Sequence, residues 1–330
     1  MQSRKFSNLD ICVSEVGMGC WQIGGTEWGD VGDKQAIDTL HAAAESGITF
    51  FDTADIYGNG RSERLVGQFL SETASRDRIF IATKLGRRSD PGWPENFTPH
   101  NIRQHTEDSL IRLGIDVLDL TQTHCLPLEQ LSEYGVWDTL ADLKREGKIR
   151  AFGASVETID EALNCLEIPG LNSLQIIFNI FRQCPADALL ERARQKQVAI
   201  IVRLPLASGL LAGGFDRKTE FAVADHRTFN RHGEKFNVGE TFAGVPWELG
   251  LEVVEKLKNF VPAGQLMAQW ALRWCLDFPQ VTTVIPGAKH AIQARQNAGA
   301  SDLPRLSDEV HRSLADIYQA SIKPAVRGHI

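Results

Sequence analysis

The chain has 330 residues, a formal net charge of −7 and 43% hydrophobic residues. Its length and apolar content suffice for a full core, and its acidic balance argues against a nucleic-acid partner. The six cysteines show no C-x-x-C spacing, so we expect free thiols and no metal site. The N-terminus has no apolar signal region and no stretch long enough to span a bilayer, so we expect a cytoplasmic protein that binds no membrane.

Short apolar runs alternate with amphipathic stretches of helical length along most of the chain. A hairpin is predicted at 3–16. Strands are predicted at 16–19, 49–52, 79–83, 117–123, 151–155, 173–178, 198–203 and 282–285. Helical patterns with start signals are predicted at 36–46, 102–113 and 265–278.

This β-then-α order, with no Pro/Gly/Ser-rich linker, predicts the fold class α/β. Eight βα units favour a closed (β/α)8 TIM barrel, with a short N-terminal hairpin, over an open doubly wound sheet. We expect residues 1–330 to form a single domain. The G-x-G-x-x-G fingerprint of dinucleotide folds does not follow the first strand, so a barrel that uses a nicotinamide nucleotide must hold it by other means.

One long segment, residues 215–250, breaks the alternation and is rich in aromatic and charged residues. Long loops in compact domains are usually functional or disordered. The aromatic content favours an ordered loop at the barrel mouth. Four of its basic residues could suit a sugar or an anionic substrate, although a solvated loop face is the simpler expectation. They are His226, Arg227, Arg231 and His232.

Four polar residues stand just past the ends of predicted strands, where parallel α/β proteins carry their chemistry. They are Asp52, Tyr57, Lys84 and His124. A phenol, an ammonium that makes it more acidic, a carboxylate that holds the ammonium, and an imidazole that orients substrate can together protonate a carbonyl oxygen. Each alone has a structural alternative: a cap, a loop anchor, a solvated charge or an ordinary hydrogen-bonding histidine. Their joint occurrence at strand ends favours the catalytic interpretation.

The stretch FDTADIYG at 51–58, followed by SERLVG at 62–67, resembles the aldo-keto reductase superfamily. Further segments match in the same order and spacing. They are ATKLG at 82–86, TQTHCLP at 121–127, GAS at 153–155, QIIFN at 175–179, PLASGLL at 205–211 and IPGAK at 285–289. Several motifs in register are far more specific than any one of them.

The resemblance implies an NADPH-dependent oxidoreductase on a (β/α)8 barrel. It would reduce an aldehyde, ketone or sugar-like carbonyl to the alcohol, reversibly, without a metal. Tyr57 would be the general acid, and Asp52, Lys84 and His124 would complete a tetrad. Hydride would come from the nicotinamide, so the protein would supply placement and electrostatics.

The resemblance also implies where NADP would bind. Ser155, with Gln175 or Asn179, would lie near the nicotinamide carboxamide, although Gln175 could instead cap a strand end. Backbone amides of the loop 205–214 could approach the pyrophosphate, unless the loop is a plain turn. The residues expected there are Pro205, Leu206, Ser208, Gly209 and Leu211.

After the eighth strand, Gly287 opens a segment where barrels often bind phosphate. Lys289 would neutralise the 2′-phosphate of NADP, although alone it would be an ordinary surface lysine. The residues expected around the adenosine are Gln293, Gln296 and Asn297.

Arg203 departs from the family pattern, because many members present a stacking aromatic residue from the seventh strand. Its guanidinium could stack on the nicotinamide, pair with the pyrophosphate or form a salt bridge at the barrel end. Trp21, directly after the first strand, is expected at the cofactor as a pocket wall. Trp28 and Trp93 could line the substrate site or pack loop on loop.

Two other classes remain open from the sequence. One is a nucleotide-sensing regulatory subunit with little turnover. The other is a barrel isomerase or lyase with a Schiff base on Lys84, which would leave the Lys289 motif without a role. The sequence does not indicate the substrate, the physiological direction or the oligomeric state.

Overall fold

The computed structural model describes residues 1–25, 27–74, 76–127, 130 and 135–328. The strands in this part are β1 Ser3–Lys5, β2 Cys12–Ser14, β3 Met18–Gly19, β4 Phe50–Asp52, β5 Phe80–Leu85, β6 Leu120–His124, β7 Phe152–Ser155, β8 Ser173–Ile177, β9 Ala199–Arg203 and β10 Val281–Val284. The α-helices are α1 Trp21–Gly24, α2 Asp33–Glu45, α3 Arg61–Glu72, α4 Pro99–Leu113, α5 Val136–Arg145, α6 Ile159–Cys165, α7 Cys184–Ala188, α8 Leu190–Gln195, α9 His226–Phe229, α10 Trp247–Leu257, α11 Met267–Leu276, α12 Ala291–Ala298 and α13 Asp308–Ile317.

Strands β3 to β10 form one parallel sheet in chain order. The sheet closes on itself, because Gly17 N donates to Val284 O at 2.7 Å and Val284 N donates to Glu15 O at 3.0 Å. Helices connect the strands on the outside. The fold is therefore the predicted (β/α)8 barrel, and the predicted hairpin is present as the antiparallel pair β1 and β2.

The hairpin leads into a plug at the N-terminal end of the barrel. The Phe6 ring centroid lies 4.8 Å from that of Phe80, which lies 5.3 Å from that of Phe50. These rings pack with small and aliphatic side chains from the inner faces of the strands. Because apolar side chains fill this end, the interior is open to a ligand only at the C-terminal mouth.

Helix α4 illustrates how local sequence sets the boundaries. The Thr98 side chain accepts a hydrogen bond from the Asn101 amide, and Pro99 begins the helix without needing a donor. Gly114 ends it with φ of 65°, a left-handed conformation that glycine adopts without steric cost. The helix therefore begins three residues before the predicted range 102–113 and ends with it.

Two strands extend further towards the mouth than predicted. β5 continues to Leu85 and β6 to His124, so Lys84 and His124 lie within the last residues of strands and not just past them. The parallel ladder continues through these polar residues, with Lys84 opposite Gln122 and His124 opposite Ser155. Backbone pairing with two neighbours outweighs the polarity of the side chains. No helix in the described ranges combines the length and apolar character needed to cross a membrane.

Candidate active site

A cavity of about 1090 Å³ opens at the C-terminal ends of the barrel strands. Its lining comes from strand ends, from the loops that follow them and from the start of α12. This volume is at the upper end of the range for sites that hold small molecules and cofactors.

At the floor of the cavity, Lys84 connects a carboxylate to a phenol. Its Nζ donates to Asp52 Oδ1 at 2.5 Å, to the Thr53 carbonyl at 2.9 Å and to the Tyr57 hydroxyl at 3.2 Å. Asp52 and Tyr57 line the cavity, whereas Lys84 is only 1% exposed and lies behind them. Three of the four residues predicted as a tetrad thus form one continuous hydrogen-bonded group.

Burial and charge act in opposite directions on this group. Burial raises the pKa of Tyr57 and outweighs the lowering effect of Lys84, so the phenol keeps its proton at neutral pH. Lys84 thus lowers the pKa of Tyr57, as expected, but by less than burial raises it. Burial alone would lower the pKa of Lys84, but the Asp52 carboxylate and Tyr57 raise it, so the ammonium stays charged.

His124 faces Tyr57 across the same cavity, with the two ring centroids 5.9 Å apart and the rings nearly perpendicular. Burial, followed by the positive charges of Arg87 and Lys84, holds the pKa of His124 well below its usual range. The imidazole is therefore neutral. Its buried Nδ1 has no hydrogen-bond partner among the described residues.

The amide of Gln175 also bonds a residue of the tetrad. Its Nε2 donates to Asp52 Oδ2 at 2.8 Å, so the amino group faces the tetrad, although the side chain also lines the cavity. Ser155 lines the cavity beside it. Asn179 does not line it, because its side chain bonds the Leu204 carbonyl and the Phe181 amide.

Trp21 forms a wall next to the phenol, as expected. Its ring is nearly parallel to that of Tyr57, with centroids 5.8 Å apart, and its Nε1 donates to Glu27 at 2.8 Å. Trp28 packs edge-on against Trp21 at 5.3 Å. Both tryptophans line the cavity, and so does Trp93, which is half exposed.

A second polar group, which we name the charge cluster, lies beside His124. It consists of Arg87, Glu157, Arg203 and Glu240, all of which line the cavity. Arg87 Nη2 donates to Glu157 Oε1 at 3.0 Å and to Glu240 Oε1 at 2.9 Å, and Arg203 Nη1 lies 3.6 Å from Glu240 Oε2. Burial alone would raise the pKa of Glu240, but the two guanidinium groups lower it to about 2.

The guanidinium of Arg203 therefore has partners within the protein, of which Glu240 is one. Its Nη2 donates to the Val156 carbonyl at 3.1 Å and approaches Cys125 Sγ at 3.7 Å. Cys125 and both carboxylates of the charge cluster lie close enough to hold a cation. Guanidinium groups already neutralise these carboxylates, which favours the barrel-end salt bridge over a metal interpretation.

The segment 215–250 is ordered across the mouth by contacts on both sides. The His226 amide donates to the Glu27 carbonyl at 2.8 Å, and the Phe242 amide donates to Ser208 Oγ at 3.1 Å. Arg227 pairs with Asp225 at 2.6 Å. His226 and Arg227 are 0% and 9% exposed, so the expected solvated face is wrong for both.

Arg227 stacks over the Phe221 ring, with its guanidinium carbon 4.1 Å from the centroid. Packing among the aromatic side chains of the segment buries apolar surface and so stabilises this long loop. Arg231 and His232 are more accessible and lie outside the cavity lining.

Lys289 lines the far end of the cavity. Among the described residues, its Nζ has no ion-pair partner, and burial followed by Arg227 lowers its pKa. The Gln293 side chain caps the Lys289 amide at 2.8 Å, and Asn297 Nδ2 donates to the Gly287 carbonyl at 3.3 Å. Gln296 lines the same end.

Most of the residues predicted to bind cofactor thus share one cavity. Those in the loop after β9 that line it are Pro205, Leu206, Ser208 and Gly209, whereas Leu211 is fully buried in the core and does not. Arg87, Glu157 and Glu240 line the cavity but were not predicted from the sequence. The first two follow strand ends and could have been found by the same reasoning as the tetrad, but Glu240 lies in the long segment and has no such signal.

A (β/α)8 barrel whose mouth holds a lysine-linked carboxylate and phenol belongs to a recognisable class of oxidoreductases. The chain belongs to the aldo/keto reductase family, whose model matches residues 15–319. It is 30% identical to the aldo-keto reductase YhdN of Bacillus subtilis (strain 168), over 88% of this chain and 85% of that protein.

Two further comparisons agree with this assignment. The chain is 30% identical to the NADH-specific methylglyoxal reductase of Escherichia coli (strain K12), over 93% of this chain and 95% of that protein. The holo form of aldo-keto reductase AKR11C1 from Bacillus halodurans is similar in structure, with a TM-score of 0.79, 26% identity and 98% coverage of both chains.

Proposed function

We propose that this protein is an NADPH-dependent reductase of an aldehyde, ketone or sugar-like carbonyl, with Tyr57 as the general acid. The observation that carries the proposal is the Lys84 ammonium, which bonds both the Asp52 carboxylate and the Tyr57 hydroxyl at the cavity floor. Family membership supports carbonyl reduction as the reaction class.

The residues divide the chemistry between them. Tyr57 holds the proton that goes to the carbonyl oxygen, and its raised pKa keeps that proton available at neutral pH. As the proton leaves, Lys84 stabilises the phenolate, and Asp52 keeps Lys84 charged and in place. Neutral His124 can donate one hydrogen bond to the oxygen that gains negative charge. The nicotinamide, when bound, supplies the hydride.

The cavity fits a dinucleotide phosphate in two respects. Lys289, whose ammonium has no ion-pair partner among the described residues, lies at one end, where it would hold the 2′-phosphate, and Gln293, Gln296 and Asn297 lie nearby. At the other end, Ser155 and Gln175 present polar groups beside the tetrad, where they would hold the nicotinamide. Arg203 and Trp21, which also line the cavity, would contact the nicotinamide. Pro205, Leu206, Ser208, Gly209 and Gly287 would contact the backbone of the nucleotide.

The direct test is turnover of NADPH with a panel of aldehydes, ketones and sugars. Tyr57→Phe should lower kcat by at least about 100-fold, because it removes the acid without removing the ring. Tyr318→Phe is the matched control, because that buried tyrosine lies outside the cavity lining. A Tyr57→Phe enzyme that keeps the wild-type rate would refute the assigned acid.

Cofactor choice needs its own measurement, because the similar E. coli protein is NADH-specific. Lys289→Ala should weaken NADPH binding by about 10-fold and NADH binding much less, as measured by fluorescence titration. Lys196→Ala, at a surface ion pair, is the control. Equal weakening of both nucleotides would contradict the 2′-phosphate assignment.

The structure argues against a Schiff base on Lys84. Such chemistry needs a neutral amine, whereas Asp52 and Tyr57 raise the pKa of Lys84 and three acceptors hold its ammonium. No observation favours a nucleotide sensor over an enzyme. We further propose one domain over the whole chain and a reducing cytoplasmic environment, which the six unpaired cysteines support.

A further inference from the structure

A pair of glutamines lies behind the tetrad, inside the barrel. Gln122 belongs to β6, two residues before His124, is 0% exposed and does not line the cavity. Its Nε2 donates to Asp52 Oδ2 at 3.3 Å, the oxygen that Lys84 leaves free. Gln175 donates to the same oxygen at 2.8 Å.

The two amides also bond each other. Gln175 Nε2 donates to Gln122 Oε1 at 3.4 Å, so both hydrogens of that amino group face acceptors behind the cavity. The amide of Gln175 therefore has one favourable orientation, in which its oxygen and not its nitrogen is left for the cavity. If the amide turned over, its oxygen would face Asp52 Oδ2 and Gln122 Oε1, three acceptors with no hydrogen between them.

We propose that Gln122 is a positioning residue, which fixes the Asp52 carboxylate and the amide orientation of Gln175 and acts on the reaction only through them. One oxygen of the Asp52 carboxylate accepts a hydrogen bond from Lys84 and the other accepts from two amides. These bonds hold the carboxylate in one orientation. Lys84 is thereby kept within reach of Tyr57. This proposal rests on the proposed function, in which Tyr57 is the acid.

Removing the amide of Gln122 should therefore affect Tyr57, although the two side chains do not touch. Gln122→Leu keeps the volume and deletes both polar groups. We expect kcat to fall by about 10-fold with KM changed less, because misplaced catalytic groups cost rate and not uniform binding. The pKa of Tyr57 should rise, since Lys84 lowers it less when Asp52 no longer holds the ammonium in place.

The second variant tests for rescue. In Gln122→Glu, a protonated carboxylic acid can donate to Asp52 Oδ2 as the amide does, but an ionised one repels it. Activity relative to wild type should therefore be highest at the acidic end of the pH range and decline as pH rises. A merely structural role for Gln122 predicts no such pH dependence.

Thr123→Val is the matched control. Thr123 is the next residue on β6, equally buried, and its hydroxyl has no hydrogen-bond partner among the described residues. It should keep the wild-type kcat and the wild-type ionisation of Tyr57. Thermal unfolding of every variant identifies any change that reflects stability alone.

The ionisation of Tyr57 provides a measurement that needs no substrate. The chain has three tyrosines, so the absorbance change of Tyr57 can be isolated by subtracting the Tyr57→Phe titration. NADPH binding by Gln122→Leu is titrated in parallel, and a weakening beyond that of Thr123→Val is expected because Gln175 loses its fixed orientation.

The outcomes separate the two proposals. If Tyr57→Phe keeps the wild-type rate, the proposed function fails. If Tyr57→Phe is inactive but Gln122→Leu matches Thr123→Val in kcat and in Tyr57 ionisation, only the role of Gln122 is overturned. If no substrate turns over, the pKa of Tyr57 decides. The role of Gln122 is overturned if that pKa is the same in Gln122→Leu as in wild type, and it is supported if the pKa rises.

Discussion

The tetrad and the charge cluster share one cavity but are held by different parts of the chain. Asp52 and Lys84 belong to adjacent barrel strands, and Tyr57 follows the first of them after five residues. The charge cluster instead joins the ends of β5, β7 and β9 to Glu240, which belongs to the long segment.

This difference has a physical consequence. The tetrad is as rigid as the sheet beneath it, because its geometry follows from strand pairing. The charge cluster depends on how the segment 215–250 folds, since one carboxylate from that segment pairs with two guanidinium groups. We therefore expect substitutions in the tetrad to affect rate and global stability, and substitutions at Glu240 to affect the segment and substrate binding.

The largest effect should follow from breaking the ion pair inside the tetrad. Lys84→Met leaves the Asp52 carboxylate buried without its cation, since the two side chains are 1% and 3% exposed. We expect kcat to fall at least about 100-fold and unfolding free energy to fall by about 3 kcal/mol. Steady-state kinetics and chemical denaturation measure the two losses.

A double variant sharpens this prediction. Asp52→Asn combined with Lys84→Met removes both charges, so it should recover part of the lost stability without recovering activity. If Lys84→Met is as stable as wild type, the buried ion pair between Asp52 and Lys84 does not stabilise the folded protein, contrary to the prediction.

A smaller effect is expected from Glu240→Gln. The amide keeps the size of the side chain but no longer neutralises Arg87 and Arg203. We expect KM for the carbonyl substrate to rise about 10-fold with kcat changed less. Proteolysis within 215–250 should accelerate while the global unfolding transition moves little.

Glu234→Gln is the matched control for this variant, because Glu234 is an exposed glutamate of the same segment. It should behave as wild type in both assays. If Glu240→Gln lowers the free energy of unfolding as much as Lys84→Met does, the charge cluster stabilises the barrel itself. The proposed difference between the tetrad and the charge cluster would then be wrong.

The smallest expected effect is a loss of stability at acidic pH, caused by His226 in the segment 215–250. Burial lowers the pKa of His226 from 6.5 to about 4. A folded-state pKa below the unfolded one contributes stability that is complete above pH 6.5 and is lost as pH falls towards 4. Between pH 7 and pH 5.5 this loss amounts to about 1 kcal/mol.

Denaturation of wild type and His226→Gln at both pH values measures this loss as the difference in their pH dependence. The variant should lose about 1 kcal/mol less than wild type over this range. His100→Gln, at an exposed position, is the control. Equal pH dependence in His226→Gln and wild type would show that His226 does not anchor the segment as a neutral ring.

Much of the fold could be predicted because strand and helix patterns repeat along the chain. The strands that end at Asp52 and Arg203 were predicted with their correct C-terminal ends. Those carrying Lys84 and His124 were predicted too short, because a polar residue at a strand end gives the same local signal as the loop after it. Only the neighbouring strands decide how far pairing continues.

By itself, the sequence determined the barrel, the hairpin and the candidate tetrad, because strand ends of a parallel barrel must meet at one mouth. The tertiary structure alone decided which neighbours each polar group takes. It directs the amide of Gln175 to Asp52, gives Arg203 a carboxylate partner, and buries His226. The reason is that order along the chain positions backbones, whereas hydrogen bonds and ion pairs between distant segments form only where packing brings the side chains together.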